Sequence, residues 1–159
     1  MQAAIKEARP EDHVLEVGCG SGLVSLELAR QVESLVALDI NPHAVRATRE
    51  RGVEVIRSDL FEGIRGKFDL IIFNPPYLPT KQAERSDQWI NYALDGGESG
   101  RETIGRFLLD LAGYLWPGGR ALLLISSLTG PEEVEMMAGD AGLITERVAS
   151  KGCFFEKLM

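Results

Sequence analysis

The feature that most constrains the fold is a regular alternation of short apolar segments with amphipathic ones. The apolar segments are rich in Val, Leu and Ile and have the length of β-strands, and the segments between them space their apolar residues as helices do. Strands that alternate with helices pair in parallel, because each helix carries the chain back across a face of the sheet. We therefore expect an α/β fold: a mostly parallel twisted sheet with helices on both faces, and an antiparallel C-terminal strand. No linker or internal repeat divides the chain, so residues 1–159 are predicted to form one domain.

Turn and capping residues predict where these segments begin and end. Strands are expected at residues 13–17, 34–39, 53–57, 68–73 and 120–126, with two final strands at 143–148 and 153–158. Helices are expected at residues 23–32, 42–51, 101–116 and 131–141. Ser21 is placed to cap the first helix, and Asn41 followed by Pro42 marks the start of the second. Residues 74–100 are rich in Pro, Gly and polar residues, and we interpret them mostly as a loop.

The charge of the chain disfavours a polyanionic partner. The sequence carries 17 Lys and Arg residues against 24 Asp and Glu residues, a formal net charge of -7. A protein that binds nucleic acid on its own usually presents a basic patch, since phosphate neutralisation supplies most of the affinity. Arg46, Arg49 and Arg51 cluster on one predicted helix, and we interpret them as a solvated helix face. Nucleic acid is therefore the less favoured partner.

Cysteine and histidine usage indicates neither a disulfide framework nor a metal site. Cys19 and Cys153 lie far apart with no paired spacing, and His13 and His43 have no partners at metal-ligand spacing. The N-terminal residues carry charges and no apolar core, and no apolar run approaches the roughly 20 residues of a membrane span. We therefore expect a cytoplasmic protein with no metal ion and no membrane partner.

A glycine-rich turn joins the first predicted strand to the first helix. Residues 16–22 (EVGCGSG) follow the pattern G-x-G-x-G and not the G-x-G-x-x-G of dinucleotide-binding enzymes. Glycines let the backbone turn sharply and approach a ligand, although a glycine turn alone can be merely a tight connection. Cys19 within it is explained better by small size than by reactivity.

Two acidic residues follow the next two predicted strands. Asp39 ends the second strand, where a carboxylate can accept hydrogen bonds from both ribose hydroxyls of a nucleoside. Its alternative role is that of a helix cap, which Asn41 provides better. Asp59 follows the third strand at the same edge of the sheet, where it could accept a hydrogen bond from an adenine amino group or be a plain turn residue.

The most specific feature is the sequence Asn-Pro-Pro-Tyr at residues 74–77, directly after the apolar strand FDLIIF. Two successive prolines fix the backbone and remove two N–H donors, which leaves the nearby carbonyls for another partner. The Asn74 side-chain oxygen and the Pro75 carbonyl can each accept a proton from one NH2 group, and Tyr77 offers a flat apolar face. The turn is therefore predicted to hold a planar amide or amine, the alternative being a rigid turn that closes a strand.

In this order, the glycine turn, Asp39, Asp59 and the Asn-Pro-Pro-Tyr turn resemble those of a class I methyltransferase that methylates amino groups. Residues 92–102 (YALDGGESGRE) resemble the segment that follows this turn in the HemK family, whose members methylate the glutamine of the Gly-Gly-Gln motif in translation release factors. Residues 78–80 are similar to those of its compact archaeal and eukaryotic branch. The resemblance implies a Rossmann-like fold, S-adenosyl-L-methionine as cofactor and S-adenosyl-L-homocysteine as product.

The resemblance also implies roles for individual residues. The cofactor would be contacted by Glu16, Gly18, Cys19, Gly20, Gly22, Asp39, Ile40, Asp59, Leu60 and Asn74. The substrate amide would be held by Asn74, Pro75 and Tyr77. Members of the compact branch work with a small zinc-binding activator subunit, which would add a strand beside residues Val53–Arg57. The alternative for that strand is an edge shielded by Glu54 and Arg57.

Three functions are compatible with this set of motifs. The leading hypothesis is a methyltransferase for the side-chain amide of a protein glutamine, with a release factor as substrate. The second is an adenine or guanine amine methyltransferase for DNA or RNA, which must extract its base from a stack and usually needs added basic surface. The third is a non-catalytic binding module. It should have lost an acid or Asn74, and none of these is missing.

Overall fold

The structure is a computed structural model that describes residues 2–81, 89–152 and 157–159, with backbone alone for residues 90, 91, 152, 157 and 158. The chain forms two compact units. The first consists of Met1–Phe73 and Gly113–Leu123, and the second of Asn74–Ala112 and Leu124–Met159. That the whole chain is one domain stays a prediction.

The first unit is built on a five-stranded parallel sheet. Its strands are β1 (His13–Val17), β2 (Ser34–Asp39), β3 (Val55–Arg57), β4 (Phe68–Phe73) and β5 (Leu115–Leu123), in the order β3-β2-β1-β4-β5. Its helices are α1 (Gln2–Glu7), α2 (Leu23–Leu28) and α3 (Pro42–Glu50). The predicted parallel α/β fold is confirmed, and β3 lies at an edge of the sheet as expected.

The core of this unit lies around the central strands. Four of the five residues of β1 and the last four residues of β4 are buried, as expected of strands covered on both faces. One apolar cluster joins Val14 of β1 and Leu70 of β4 to Leu28 of α2 and Val45 of α3. Burial of these side chains fixes both helices on the sheet and so fixes the loops that join them to the strand ends.

Three predictions about the ends of elements in this unit were wrong. Helix α2 ends at Leu28, and its cap position is taken by Gly22 without a side-chain bond, so Ser21 does not cap it. Strand β5 begins at Leu115, where helix was predicted, and includes Pro117-Gly118-Gly119. Its register against β4 shifts between the first paired residues and those that follow. Such an irregularity allows a strand at the end of a sheet to accommodate Pro and Gly.

The second unit contains α4 (Trp89–Tyr92), α5 (Glu102–Tyr114) except its last two residues, a short 3-10 turn (Ser127–Thr129), α6 (Pro131–Asp140) and a strand pair, β6 (Lys151–Gly152) and β7 (Lys157–Leu158). Helix α5 buries Ile104, Phe107, Leu108 and Leu111. A Cβ atom at Gly105 would lie 2.8 Å from the Cε atom of Met137, so α5 and α6 approach closely there.

The C-terminal strands differ in part from the prediction. Strand β7 is antiparallel, as expected, but it pairs with β6 in a separate two-stranded sheet. Residues 143–148 are not a strand, and residues 153–156, which include Cys153, lie outside the described residues. In the described part of residues 74–100, the only helix is α4, so the prediction of a loop was largely correct there. No helix in the described parts of the chain has the length and apolarity needed to cross a membrane.

Candidate active site

Neighbouring strands of the first unit end side by side at one edge of the sheet. Val17, the last residue of β1, is the register partner of Phe73, the last residue of β4. Asp39 and Arg57, the last residues of β2 and β3, are partners in the same way. Ligands of open α/β sheets bind at this carboxyl edge. The glycine turn follows Val17 in the chain, and Asn74 follows Phe73.

The glycine turn adopts a backbone that only glycine adopts readily. Gly18, Gly20 and Gly22 have φ angles of 68°, 54° and 72°, all in the left-handed region. A Cβ atom at Gly20 would meet nothing within 4 Å, whereas one at Gly22 would lie 2.5 Å from the Oγ1 atom of Thr48. Gly20 therefore faces open space that a ligand can enter, and Gly22 allows close packing of the turn on α3.

The carboxylate of Asp39 joins the end of β2 to the glycine turn. One of its oxygens accepts a hydrogen bond from the Gly20 amide at 2.8 Å, and the other accepts from the Asn41 amide at 2.9 Å. Asn41 caps α3 by accepting from the His43 amide at 2.9 Å, as predicted. A carboxylate has about four acceptor sites, so Asp39 retains acceptors for a ligand while it holds the turn.

Thr48 of α3 packs beneath the glycine turn and is fully buried. Its hydroxyl lies 3.3 Å from the Cys19 sulfur and donates to the Gly20 carbonyl at 3.4 Å. Cys19 is buried too, and this burial is the main reason that the pKa of its thiol rises to about 11. A thiol in this state is a weak nucleophile, which agrees with the interpretation of Cys19 as a small packing residue.

Glu16 places a carboxyl group inside the protein near the end of β1. Glu16 is only 6% exposed, and its carboxyl group accepts a hydrogen bond from the Ser25 hydroxyl of α2. Burial raises the pKa of Glu16 to about 7, the Ser25 hydrogen bond opposes the rise, and the negative charge of Asp39 adds to it. Glu16 is therefore poised between its neutral and ionised forms near neutral pH.

The residues after β3 form a fixed turn beside the end of β2. The Ser58 amide donates to the Asp39 carbonyl at 3.0 Å, and the Ser58 hydroxyl donates to the Leu60 carbonyl at 3.0 Å. Leu60 has a φ of 48°, an unusual value for a residue with a branched side chain. Arg57 donates to the Ile40 carbonyl at 3.1 Å. These bonds fix the backbone on either side of Asp59, whose role at the adenine stays a prediction.

The second unit contains the Asn-Pro-Pro-Tyr turn at residues 74–77. Asn74 is exposed, Pro75 is buried, and Tyr77 is half-buried. Beyond the turn, the Leu78 amide donates to the Leu94 carbonyl at 3.0 Å, and the Leu78 carbonyl accepts from the Gly96 amide at 2.9 Å. Residues 92–102, which resemble a segment of the HemK family, are therefore hydrogen-bonded to the residue that follows the turn.

Comparisons with known proteins identify the family. The family model described as Methyltransferase small domain matches residues 2–93. A putative protein N5-glutamine methyltransferase of Methanocaldococcus jannaschii is 43% identical over 153 residues, which cover 92% of this chain and 78% of that relative. Methyltransferase HEMK2 of Homo sapiens is 34% identical over 156 residues, which cover 90% of this chain and 73% of that protein. This chain belongs to the HemK family of class I methyltransferases.

A solved structure of the same fold extends the comparison. A chain of the E. cuniculi Mtq2-Trm112 complex matches 99% of this HemK-family chain and 87% of its own length, with a TM-score of 0.81 and 26% sequence identity. That complex is described as responsible for the methylation of the eRF1 translation termination factor. The predicted family and its Rossmann-like fold are confirmed.

Two buried polar residues near the glycine turn of this HemK-family chain were not predicted from the sequence. Thr48 and Ser25 lie on helices, face the residues of the glycine strand and turn, and are fully buried. A Ser or Thr in an amphipathic helix is more often exposed, so sequence alone gives no reason to choose either. A weak signal was available for Thr48, because it lies three residues after Val45, on the apolar face of α3.

Proposed function

We propose that this protein is an S-adenosyl-L-methionine-dependent methyltransferase that acts on the side-chain amide nitrogen of a protein glutamine. The substrate that we propose is the Gly-Gly-Gln motif of a translation release factor, modified in the cytoplasm. The observation that carries the proposal is the pairing of Val17 with Phe73, because the glycine turn follows one of these strand ends and Asn74 follows the other. The similarity to a glutamine methyltransferase at 43% identity supports the amide as acceptor.

The first unit supplies the groups suited to the cofactor, which provides an electrophilic methyl group when bound. The open space beside Gly20 lets the turn approach a ligand without a side chain in the way. Asp39 is proposed to accept hydrogen bonds from the ribose hydroxyls with its remaining lone pairs. Asp59, Leu60 and Ile40 would surround the adenine, and Glu16 would lie near the amino-acid end of the cofactor.

The Asn-Pro-Pro-Tyr turn is proposed to hold the acceptor amide. The Asn74 side-chain oxygen and the Pro75 carbonyl would each accept one N–H of the glutamine side chain, and Tyr77 would pack against the flat amide. With both protons held in the plane of the amide, the lone pair of the nitrogen is perpendicular to that plane, which is the direction from which the methyl group would approach. As the nitrogen–carbon bond forms, the carbon–sulfur bond would break with its electrons leaving on sulfur, and the nitrogen would lose one proton to solvent. Methyl transfer is an in-line displacement, so alignment contributes more than a strong base would. Such a site has no need of a catalytic His or Cys.

We further propose a small partner subunit that pairs with β3. This strand is an edge of the sheet, and edge strands have free backbone groups that can pair with another chain. Ile56 at its centre is 41% exposed, so it offers an apolar contact to such a chain. The complex formed by the structural relative of E. cuniculi supports this proposal. That the subunit binds zinc is part of the same proposal.

Transfer of a radiolabelled methyl group tests the proposed function. The protein is co-expressed with the small partner subunit and incubated with labelled S-adenosyl-L-methionine. The acceptors are release factor, the same factor with the motif glutamine changed to alanine, and total RNA from the same organism. We expect label on the unmodified factor alone.

The other acceptors distinguish the alternatives. Label on the alanine variant would mean that another position of the release factor is methylated. Label on RNA would favour a nucleic-acid amine methyltransferase and contradict the proposal. No label on any acceptor, with cofactor binding intact, would contradict the proposed substrate class.

A further inference from the structure

The segment of residues 94–102 has contacts that the proposed function leaves unexplained. It pairs in parallel with the chain after the Asn-Pro-Pro-Tyr turn through a bridge between Leu78 and Asp95. Leu78 donates to Leu94 at 3.0 Å and accepts from Gly96 at 2.9 Å, both through backbone groups. Two residues on, the Thr80 amide donates to the Gly97 carbonyl at 2.9 Å. Three hydrogen bonds therefore set the register between the two segments.

Gly100 brings the same segment against the turn itself. It has a φ of 72°, and a Cβ atom built on it would lie 2.5 Å from the Tyr77 carbonyl oxygen and 3.4 Å from Pro79 Cδ. Real Cβ atoms essentially never approach a backbone oxygen so closely, so any side chain here must displace Tyr77 or the segment. Gly100 is required both for its backbone conformation and for its lack of a side chain.

The segment is held in shape by its own hydrogen bonds. The Asp95 carboxylate accepts from the Gly97 amide at 2.8 Å, and the Glu102 carboxylate accepts from the Glu98 amide at 3.1 Å. The Glu102 amide donates to the Gly96 carbonyl at 2.9 Å, which closes the loop at the start of α5. These hydrogen bonds and the start of α5 restrict the loop. A displacement at Gly100 is therefore transmitted to Tyr77 and is not taken up by movement of the loop.

We propose that the 94–102 segment positions the Asn-Pro-Pro-Tyr turn for catalysis, and that Gly100 is its positioning residue through contact with the Tyr77 carbonyl. This inference rests on the proposed function, in which residues 74–77 hold the acceptor amide. An in-line displacement tolerates little misplacement, since a shift of about 1 Å can cost about 100-fold in rate. The segment therefore affects the rate of methyl transfer, whereas the affinity for the cofactor depends on residues of the first unit.

Two alanine variants separate positioning from general backbone strain. Gly100→Ala and Gly142→Ala both place alanine in the left-handed region, because the two glycines have φ angles of 72° and 78°. A Cβ at Gly142 would meet nothing within 4 Å, so this variant carries the backbone strain without a contact. Single-turnover transfer to release factor and the Kd of the cofactor are measured for both variants and for the wild type.

We expect Gly100→Ala to lower the transfer rate about 100-fold and Gly142→Ala to leave it nearly unchanged, with similar cofactor Kd in both. Faster exchange of the Leu78 and Thr80 amide protons in Gly100→Ala would show that the paired segments have separated. Equal transfer rates in the two variants, with an active wild type, would overturn the positioning role alone. A wild type without transfer would overturn the proposed function and this inference together.

A third variant tests the same role if Gly100→Ala does not fold. Glu102→Ala removes the carboxylate that accepts from the Glu98 amide and places no new atom near Tyr77. We expect it to lower the transfer rate about tenfold with unchanged cofactor Kd, because the loop loses its shape but the turn is not displaced by a clash. Full transfer activity in Glu102→Ala would contradict the proposed role of the segment.

Discussion

At the residue scale, the glycine turn depends on side chains that belong to other elements. Asp39 accepts from Gly20, Thr48 packs under Gly22, and Ser25 donates to Glu16. The glycines and Asp39 could be predicted from the sequence, because their residue types and their places at strand ends are sufficient. Thr48 and Ser25 could not, since their contacts exist only once α2 and α3 have packed on the sheet.

Glu16 should make the stability of the fold depend on pH. Its folded pKa of about 7 lies above the ordinary value of 4.5, so the folded state favours the protonated form. The stabilisation is present below pH 4.5 and is lost as the pH rises to about 7, on the order of 3 kcal/mol in total. We expect Glu16→Gln to remove this dependence and to be the more stable protein at about pH 8.

Urea denaturation of both proteins at several pH values checks the Glu16 prediction. The difference in unfolding free energy between variant and wild type should grow from about pH 5 to pH 7 and then level off. Parallel pH profiles for the two proteins would mean that the Glu16 carboxyl is not responsible.

Asp39→Ala should weaken cofactor binding by two routes. It removes the proposed ribose acceptor, and it releases the Gly20 amide, which is bonded to the carboxylate at 2.8 Å. We expect the Kd from titration calorimetry to rise by at least about tenfold, the effect of losing one charged hydrogen bond. An unchanged Kd would exclude Asp39 from the cofactor site.

At the element scale, strands and helices were predicted well where both ends had clear signals. Strands β1, β2 and β4 have the predicted bounds, because each is an apolar run closed by a turn or an acidic residue. The start of β5 was missed, because Pro117-Gly118-Gly119 is typical of a turn and its place in a strand depends on the irregular pairing with β4. The strand predicted at residues 143–148 does not form. A strand needs a partner to pair with, and a local sequence pattern does not show whether one is present.

The caps of α2 and α3 give a matched pair of stability tests. Asn41 accepts from the His43 amide at 2.9 Å, so Asn41→Ala should cost about 1 kcal/mol of unfolding free energy. The cap position of α2 is Gly22, with no side-chain bond, so Ser21→Ala should change stability by less than about 0.5 kcal/mol. Chemical denaturation of both variants measures these values. Equal losses would contradict the assignment of the caps.

At the scale of the whole molecule, the residues proposed for the two reactants are largely separate, and Asn74 is the one named for both. The ends of β1, β2 and β3 carry the groups proposed for the cofactor, and the turn after β4 carries those proposed for the acceptor amide. The net charge of -7 is compatible with a protein substrate and unfavourable for a polyanion. The order of these motifs could be predicted from sequence alone, but the contact of Gly100 with Tyr77 could not, because it joins loop residues far apart in the chain.

Measuring cofactor affinity and methyl transfer together in Asn74→Ala tests whether residue 74 holds the substrate amide. The variant removes the side-chain oxygen proposed to accept from the substrate amide. The hydrogen bonds of Gly20 and Asn41 to Asp39 do not involve Asn74. We predict a Kd for S-adenosyl-L-methionine within about threefold of wild type, with transfer to release factor reduced below detection. Loss of cofactor binding in this variant would show that the cofactor contact implied for Asn74 by the family resemblance is its main role, and full transfer activity would contradict its role in holding the substrate.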